Sequence, residues 1–251
     1  MRRGTLSRFH LVTALAVVLC VVVPQWWLVV GGYVPVVALG VTFPQLQFFG
    51  ASLCRVRTGR KAVALTFDDG PDPMVTPVLL DLLKQRGVQA TFFCTGQRVE
   101  EHPDVARRIM AEGHLMANHS FAHSHGTNVF TARRLREDLA RAQEAIARVT
   151  GERPKLFRPP MGLTNLRVFR VATELGLTVV GWTVRGLDTR QSAPIKIAGR
   201  ITRRLRPGAI IVLHDGGVTN CVVVPAVELL LDELDRQGYR AERLDELMET
   251  K

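Results

Sequence analysis

From residue 62 onward, short apolar runs alternate with longer stretches in which apolar residues recur at helical spacing. The apolar runs predict strands at residues 62–67, 90–94, 114–117, 156–157, 178–182 and 209–213. The stretches after them predict helices at residues 75–86, 103–112, 132–149, 165–175, 194–204 and 224–236. This alternation is typical of an α/β fold with a parallel sheet, either doubly wound or closed as a barrel.

The first fifty residues have a different pattern. Between residues 11 and 43 the only strongly polar side chain is Gln25, and arginines precede this segment. About 20 apolar residues suffice to cross a bilayer. The run is also longer than the apolar core of a cleaved signal peptide. Residues 1–50 are therefore expected to be an uncleaved membrane anchor that places the protein at the cell membrane.

The anchor could have either of two topologies. One tilted span would place the remainder of the chain outside the cell. A hairpin that turns near residues 24–27 or at residues 31–32 would return it to the cytoplasm. Basic residues flank the segment on both sides, so the charges do not decide between them. Residues 51–61 are then a basic linker, and residues 62–245 form the α/β domain.

Charge and cysteine content narrow the choice of partners. The chain has 33 Lys+Arg against 23 Asp+Glu, a formal net charge of +10, and arginine is the commoner basic residue. Such a balance suits nucleic acid, anionic lipid or an anionic wall polymer. Because dense basic runs and interleaved aromatic residues are absent, a nucleic-acid partner is not expected. The four cysteines show no CxxC spacing, so neither a disulfide framework nor a cysteine zinc site is expected.

Chemically reactive side chains follow the predicted strands. They are Asp68 and Asp69 after the first strand, Asn118, His119 and His123 after the third, Arg158 after the fourth, Asp188 after the fifth, and His214 with Asp215 after the sixth. Because α/β folds build their active sites at the carboxyl ends of strands, this placement indicates one shared site.

The histidine spacing favours a metal site. His119 and His123 are four residues apart, so both imidazoles could reach one ion from the same side of a helical turn. A carboxylate would complete the three-ligand set of a catalytic zinc site. Of the adjacent Asp68 and Asp69, one could bind the metal and the other could take a proton from water. Taken singly, the histidines could be solvated loop residues, and the aspartates could form an Asx turn or a helix cap.

Together these motifs resemble the polysaccharide deacetylase family with the NodB homology domain, also called carbohydrate esterase family 4. Over residues 60–240 the chain contains, in order, TFDDG, HSFAH, RPPMG, GWTVRGLDT and IVLHD. The resemblance implies a distorted, incomplete (β/α) barrel. It also implies a metal-dependent hydrolase that cleaves linear amide C–N bonds and removes N-acetyl groups from amino sugars of a polysaccharide or glycoconjugate.

The resemblance also implies roles for individual residues. Asp69, His119 and His123 would bind a divalent metal, most often zinc and sometimes cobalt. Asp68 would be the general base, and Arg158 would orient it.

On the other side of the substrate, His214 would be the general acid, held by Asp188. The backbone N–H of Met161 would stabilise the oxyanion, and Pro160, Met161 and Val212 would form walls of the sugar groove.

Three positions depart from the family pattern. Met161 stands where tyrosine is common, Arg185 where aspartate is usual, and Thr189 where tryptophan is usual. The catalytic set is intact, so these changes concern the substrate groove, and the extra arginine favours an anionic substrate. Two further interpretations are a deacylase or deformylase of a lipid-linked amino sugar, which the anchor favours, and a catalytically inactive carbohydrate-binding module.

Overall fold

The computed structural model describes residues 7–191, 193–217 and 222–249 and contains an eight-stranded parallel sheet. Its strands are β1 (Ala62–Asp68), β2 (Thr91–Cys94), β3 (Leu115–Asn118), β4 (Leu156–Phe157), β5 (Thr178–Val179), β6 (Val184–Arg185), β7 (Ile210–His214) and β8 (Arg240–Glu242). The strand order is β5-β4-β3-β2-β1-β7-β6, and β8 also pairs with β1.

Helices follow most of the strands. They are α1 (Arg8–Val22), α2 (Trp26–Thr42), α3 (Thr76–Gln85), α4 (Gly96–Glu101), α5 (Pro103–Ala111), α6 (Ala132–Thr150), α7 (Leu166–Glu174), α8 (Pro194–Thr202), α9 (Val223–Gln237) and α10 (Leu244–Glu249). The predicted strand–helix order is confirmed. Strands β6 and β8 and helices α4 and α10 are additions to it.

The alternation of side chains along β1 explains the two sides of the sheet. Val63, Leu65 and Phe67 point to one face and pack among apolar residues of the outer helices. Ala62 and Ala64 point to the opposite face, where small side chains leave room for residues of α10. Because successive residues of a strand face opposite sides, Thr66 and Asp68 continue this inner row towards the carboxyl end of the sheet.

The predicted linker helps to complete an incomplete barrel. Strands β5 and β6 are the two ends of the sheet order. Leu53 forms a parallel bridge with Val180, and Arg55 forms an antiparallel bridge with Ala209. The segment therefore runs from the β5 end of the sheet to the residue before β7, the neighbour of the other end strand, and the expected incomplete (β/α) barrel is confirmed.

The first two helices form a separate antiparallel pair. Helix α1 ends at Val22 and α2 begins at Trp26, at the first of the two predicted turn positions. The Thr13 and Tyr33 hydroxyls join the two helices at 2.8 Å. Within the described part of the chain, no helix combines the length and the apolar character needed to cross a membrane. The predicted transmembrane anchor is therefore not supported.

Candidate active site

Adjacent strand ends bring the predicted site residues together. In the parallel register, Asp68 of β1 pairs with His214 of β7, and Asn118 of β3 pairs with Phe157 of β4. His119 and Arg158 are the next residues after Asn118 and Phe157. Because all the strands are parallel, these groups meet at one edge of the sheet.

Asp69, His119 and His123 form a compact cluster, hereafter the ligand trio. The Oδ1 atom of Asp69 lies 3.2 Å from Nε2 of His119 and 3.1 Å from Nε2 of His123. Their candidate ligand atoms all lie within 4.8 Å of one another. Oδ1 of Asp69 is buried and has no hydrogen-bond partner. Two imidazole nitrogens facing one orphaned carboxylate oxygen match the donor set of a catalytic zinc site.

Backbone interactions hold the trio in place. Nδ1 of His119 lies 2.7 Å from the carbonyl oxygen of Arg158, which directs Nε2 towards Asp69. The backbone N–H of Ser120 donates to Oδ1 of Asn118 at 2.8 Å and fixes the turn after His119. Asp69 and His123 have positive φ angles of 74° and 46°. Such angles are uncommon for non-glycine residues and concentrate at functional sites.

Electrostatic interactions favour an ionised aspartate in the trio. Burial alone would raise the pKa of Asp69, but the adjacent His119 and the charge of His123 hold that pKa well below its usual range. Burial and neighbouring His119 lower the pKa of His123, which favours the neutral imidazole that metals bind. The protonation preferences of Asp69 and His123 therefore fit a metal site, whereas the carboxylates of Asp68 and Asp69 outweigh burial and raise the pKa of His119.

Asp68 lies beside the trio and is bound by a buried arginine. Nη1 of Arg158 donates to Oδ1 of Asp68 at 2.6 Å, and the two side chains are 1% and 7% exposed. Burial lowers the pKa of Arg158, and the adjacent Asp68 carboxylate opposes that shift. The arginine therefore orients Asp68 and leaves its second oxygen available to accept a proton.

Arg158 depends on groups that the sequence did not single out. Nη1 also donates to Oγ1 of Thr66 at 2.8 Å, and Nη2 donates to the carbonyl oxygen of Gly181 at 3.0 Å. The guanidinium carbon lies 4.0 Å from the centroid of the Phe93 ring, within cation–π range. A signal for Thr66 was present, since it is a polar residue in an apolar strand, two positions before Asp68 and thus on the same face.

His214 forms a second pair with Asp188. Nδ1 of His214 lies 3.1 Å from Oδ1 of Asp188, and the backbone N–H of His214 donates to Oδ2 of Asp188 at 2.7 Å. Burial would lower the pKa of His214, but the Asp188 carboxylate raises it to about 9. A histidine in this state is protonated at neutral pH and can give a proton to a leaving group.

The loop after Arg158 borders the same site. Pro160 is buried, whereas Met161 is 41% exposed and has a positive φ of 56°. A Cβ added to Gly162 would lie 2.0 Å from the Trp182 ring, so only glycine fits beneath that indole. Val212 is 2% exposed in β7, which leaves little of it to line a groove.

Asp215 is a buried carboxylate whose role the sequence did not indicate. It is fully buried, and its Oδ2 accepts a hydrogen bond from Thr76 Oγ1 at 2.6 Å. Burial, together with the charges of Asp69 and Asp68, raises its pKa to about 7. A Cβ added to Gly70 would lie 2.2 Å from Asp215, so the glycine of the TFDDG motif makes room for this carboxylate.

Comparisons with known proteins agree with this geometry. The polysaccharide deacetylase family model matches residues 55–180. A peptidoglycan-N-acetylglucosamine deacetylase of Bacillus cereus is 35% identical over 82% of this chain and 97% of its own length. The peptidoglycan-N-acetylmuramic acid deacetylase PdaA of Bacillus subtilis is 33% identical over 76% of this chain and 73% of its own length.

A solved structure shows the same fold. The Bc1960 peptidoglycan N-acetylglucosamine deacetylase, bound to 4-naphthalen-1-yl-N-oxidanyl-benzamide, superposes with a TM-score of 0.77 at 31% identity and covers 84% of this chain and 98% of its own. The extent of these matches, together with the ordered motifs at the strand ends, identifies the chain. It belongs to the polysaccharide deacetylase family and, like the peptidoglycan deacetylases above, is a hydrolase that acts on the amide bonds of N-acetylated sugars.

Proposed function

We propose that this protein is a metal-dependent deacetylase of N-acetylated amino sugars in a peptidoglycan-type glycan. The observation that carries the proposal is the ligand trio, in which Asp69 Oδ1 faces two imidazole nitrogens at 3.2 and 3.1 Å. The names of the Bacillus relatives support the substrate class. The donor set, with two imidazoles and one carboxylate, favours zinc.

The residues around the trio divide the work of amide hydrolysis. A divalent metal bound by Asp69, His119 and His123 would supply Lewis-acid chemistry at the amide and at the attacking water. Asp68, oriented by Arg158, accepts a proton from water, which then adds to the acetyl carbonyl carbon. The C–N bond breaks as His214 gives its proton to the sugar nitrogen. Acetate and the free amine are the products.

The loop after Arg158 contributes to binding of the oxyanion and of the sugar. The N–H of Met161 stabilises the negative charge that develops on the carbonyl oxygen. Met161 borders the sugar, whereas the buried Pro160 and Val212 shape the loop and strand behind it. The exposed side chain of Met161 is available to contact it directly.

The experiment separates proton transfer from metal binding. In Asp68→Asn, the amide can still accept from Arg158 but is a poor base. We therefore expect acetate release from N-acetylated chitooligosaccharides to fall about 10²- to 10⁴-fold with metal still bound. In His119→Ala, the trio loses one of three ligands, so metal content and activity fall together. Metal analysis of the purified variants and an acetate assay measure both.

Two matched variants serve as controls. His125→Ala removes an exposed histidine of the same loop that is outside the trio, and Asp235→Asn neutralises an exposed carboxylate of α9. Both should keep metal and activity. A fully active Asp68→Asn protein, or a His119→Ala protein with a full complement of metal, would overturn the proposed roles.

The alternative of a binding module without catalysis has less support. Such a protein has no need for a buried Asp68–Arg158 pair or for an imidazole with a raised pKa, and both are present. If wild-type protein loaded with zinc binds oligosaccharide but releases no acetate, the binding interpretation would replace the enzymatic one.

A further inference from the structure

The N-terminal hairpin, defined as α1, α2 and the three residues between them, has no polar face. No residue of α1 is buried, and in α2 only Gly40 is buried. Val21 and Val22 near the tip are 82% and 71% exposed, and Trp26 and Trp27 are more than half exposed. A helix that is apolar on all sides is normally enclosed by protein or lipid, and exposed apolar surfaces of this extent mark interaction sites.

Three hydroxyls of the hairpin are hydrogen-bonded within it, whereas the Gln25 side chain at the tip makes no capping hydrogen bond. The hydroxyls of Thr13 and Tyr33 bond to each other at 2.8 Å, and Thr42 Oγ1 donates to the carbonyl oxygen of Ala38 at 2.8 Å. Hydroxyl groups on a surface that faces water do not need internal hydrogen bonds. Hydroxyl groups in hydrocarbon do need them, because no water is present there to bond them.

The open end of the hairpin packs on the segment that directly follows α2. The N–H of Phe9 donates to the carbonyl oxygen of Phe48 at 2.9 Å, and the rings of Phe9, Phe48 and Phe49 pack together. At 1.5 Å per residue, the two helices are roughly 22–25 Å long. The hairpin therefore projects from one side of the domain and carries its apolar tip away from it.

Charge at the base complements a lipid headgroup. Exposed Arg8 begins α1, and further arginines precede it at positions 2 and 3 of the sequence. No acidic residue occurs before Asp68. Basic residues beside an apolar insertion are attracted to anionic phospholipids. A protein partner would cover one face of the hairpin, whereas lipid covers all of its faces, so the observations favour lipid.

The base of the hairpin also lies next to the active site. Thr164 donates its N–H to the carbonyl oxygen of Val41 at 3.0 Å, and it follows the Met161 loop by three residues. Gln45 Nε2 donates to the carbonyl oxygen of Trp182 at 3.1 Å. These contacts fix the angle between the hairpin and the opening of the active site.

We propose that the N-terminal hairpin inserts into a lipid bilayer from one side and holds the active site at the bilayer surface. Resting on the proposed function, this placement names the substrate as an N-acetylated amino sugar of a glycan that is attached to a membrane lipid.

A vesicle assay tests insertion. Full-length protein is mixed with vesicles of phosphatidylcholine and phosphatidylglycerol and separated by flotation, with and without brominated acyl chains. We expect the protein to float and its tryptophan emission to be quenched, since Trp26 and Trp27 are exposed whereas Trp182 is 7% exposed. The double substitution Val21→Arg and Val22→Arg should lower partitioning at least about tenfold, because arginine is costly in the hydrocarbon region.

A matched substitution controls for charge and folding. Val78→Arg alters a half-exposed valine of helix α3, outside the hairpin, and should float like wild type. The proposal is overturned if wild-type protein stays with the soluble fraction. It is also overturned if light scattering shows a defined oligomer that the Val21 and Val22 changes dissociate while flotation is unaffected, because the occupant is then a second copy of the chain.

Two substrates separate this proposal from the proposed function. One is a soluble N-acetylated chitooligosaccharide, and the other is the same oligosaccharide coupled to a lipid in vesicles. The double variant should keep wild-type activity on the soluble sugar and lose at least about tenfold on the lipid-linked one. Equal activity of both proteins on both substrates would refute the membrane role, whereas no acetate release from either substrate would refute the deacetylase itself.

Discussion

Two parts of the active site differ in what completes them. The proton-transfer pairs, Asp68 with Arg158 and His214 with Asp188, are hydrogen-bonded within the protein. In the ligand trio, the functional atoms face one another, and Asp69 Oδ1 is buried without a hydrogen-bond donor. The pairs are therefore built by folding alone, whereas the donor atoms of the trio are those that the proposed cation would bind.

This difference follows from where the residues lie in the fold. Asp68 and His214 are the last residues of strands β1 and β7, whose register fixes them. Asp69 and His123 lie in loops with positive φ angles, where the backbone is less favourable. A bound metal would offset that cost and join the loop after β1 to the loop after β3. A change in one part of the site should therefore leave the other part largely intact.

Metal removal should have the largest effect on activity and a small effect on the fold. We expect a chelator to lower acetate release by at least about 10³-fold, because Lewis-acid stabilisation is worth several kcal/mol. The chelated protein should remain folded, with a melting temperature reduced only by the loss of bound ligand. Circular dichroism and an acetate assay before and after zinc is restored measure both. Unfolding on chelation would show that the trio, and not the core, holds the barrel together.

Arg158→Met should have a large effect on stability and a small effect on metal binding. The substitution leaves Asp68 buried beside an apolar side chain, and breaking such a pair costs about 3–5 kcal/mol in the free energy of unfolding. The carbonyl oxygen of residue 158, which orients His119, is retained, so zinc affinity should change little. Denaturant unfolding and zinc titration measure the two effects.

An exposed ion pair provides the control for Arg158. Arg153→Met breaks a contact with Glu144 in which both side chains are more than half exposed, so its cost should stay below about 1 kcal/mol. If Arg158→Met were as stable as Arg153→Met, the buried pair would not be structural. If it lost zinc, the two parts of the site would be coupled.

Local patterns predicted the strands along the chain and the polar residues that follow them, whereas the family resemblance assigned Asp69, and not Asp68, to the trio. Apolar runs mark the strands, and Asp68, Asp69, His119 and His123 follow them directly. Strand β6, by contrast, has two residues, of which Arg185 is exposed, so no apolar run marks it. The bond from Arg158 to Thr66 joins residues 92 positions apart, so it appears only when the register of the sheet is known.

The number of helices in the N-terminal segment could not be decided from its sequence. Its apolar composition predicted an anchor, but the pattern left open whether the segment was one helix or two. The structure divides it at residues 23–25 into helices of 15 and 17 residues. Proline and adjacent tryptophans marked this turn in the sequence, whereas the packing of Phe9 on Phe48 and Phe49 depends on tertiary structure.

Breaking the His214–Asp188 pair should have a smaller effect on activity, and the effect should depend on pH. Asp188→Asn removes the charge that raises the pKa of His214 to about 9, so that pKa should fall. Because the general acid must be protonated, the alkaline limb of kcat/KM should move to lower pH by at least about one unit. The control Asp235→Asn should keep the wild-type profile. An unchanged limb would show that another group donates the proton.

The raised pKa of His214 also determines how the effect of Asp188→Asn on the free energy of unfolding varies with pH. His214 has a pKa of 6.5 in an unfolded chain and about 9 in the fold. Its contribution is therefore fully present below about pH 6.5 and is lost as the pH rises through 9. Relative to wild type, Asp188→Asn should be least stable in mild acid, and the deficit should shrink at alkaline pH. Urea unfolding across this range measures it, and a deficit that grows with pH would contradict the assignment.

Substitution of Arg185 should have the smallest effect on activity and should change only the choice between anionic and neutral substrates. Arg185 is exposed at the carboxyl end of β6, its guanidinium carbon lies 5.0 Å from the Trp182 ring centroid, and no described carboxylate forms an ion pair with it. Trp182 in turn packs on Gly162, beside Met161. An anionic group on a sugar bound over this loop would therefore meet an unneutralised cation. An exposed charge pair is worth at most about 1 kcal/mol.

We accordingly expect Arg185→Asp to lower kcat/KM for an anionic glycan by about fivefold and to leave a neutral chitooligosaccharide unaffected. Arg190→Asp, which changes a nearby exposed arginine beyond Asp188, is the matched control for net charge. Raising the salt concentration should reduce the difference between the two glycans in wild type and have little effect on it in Arg185→Asp. Equal losses on both glycans would place Arg185 outside the groove. Equal losses in both variants would show that the charge of the whole face attracts the substrate, and that position 185 does not select it.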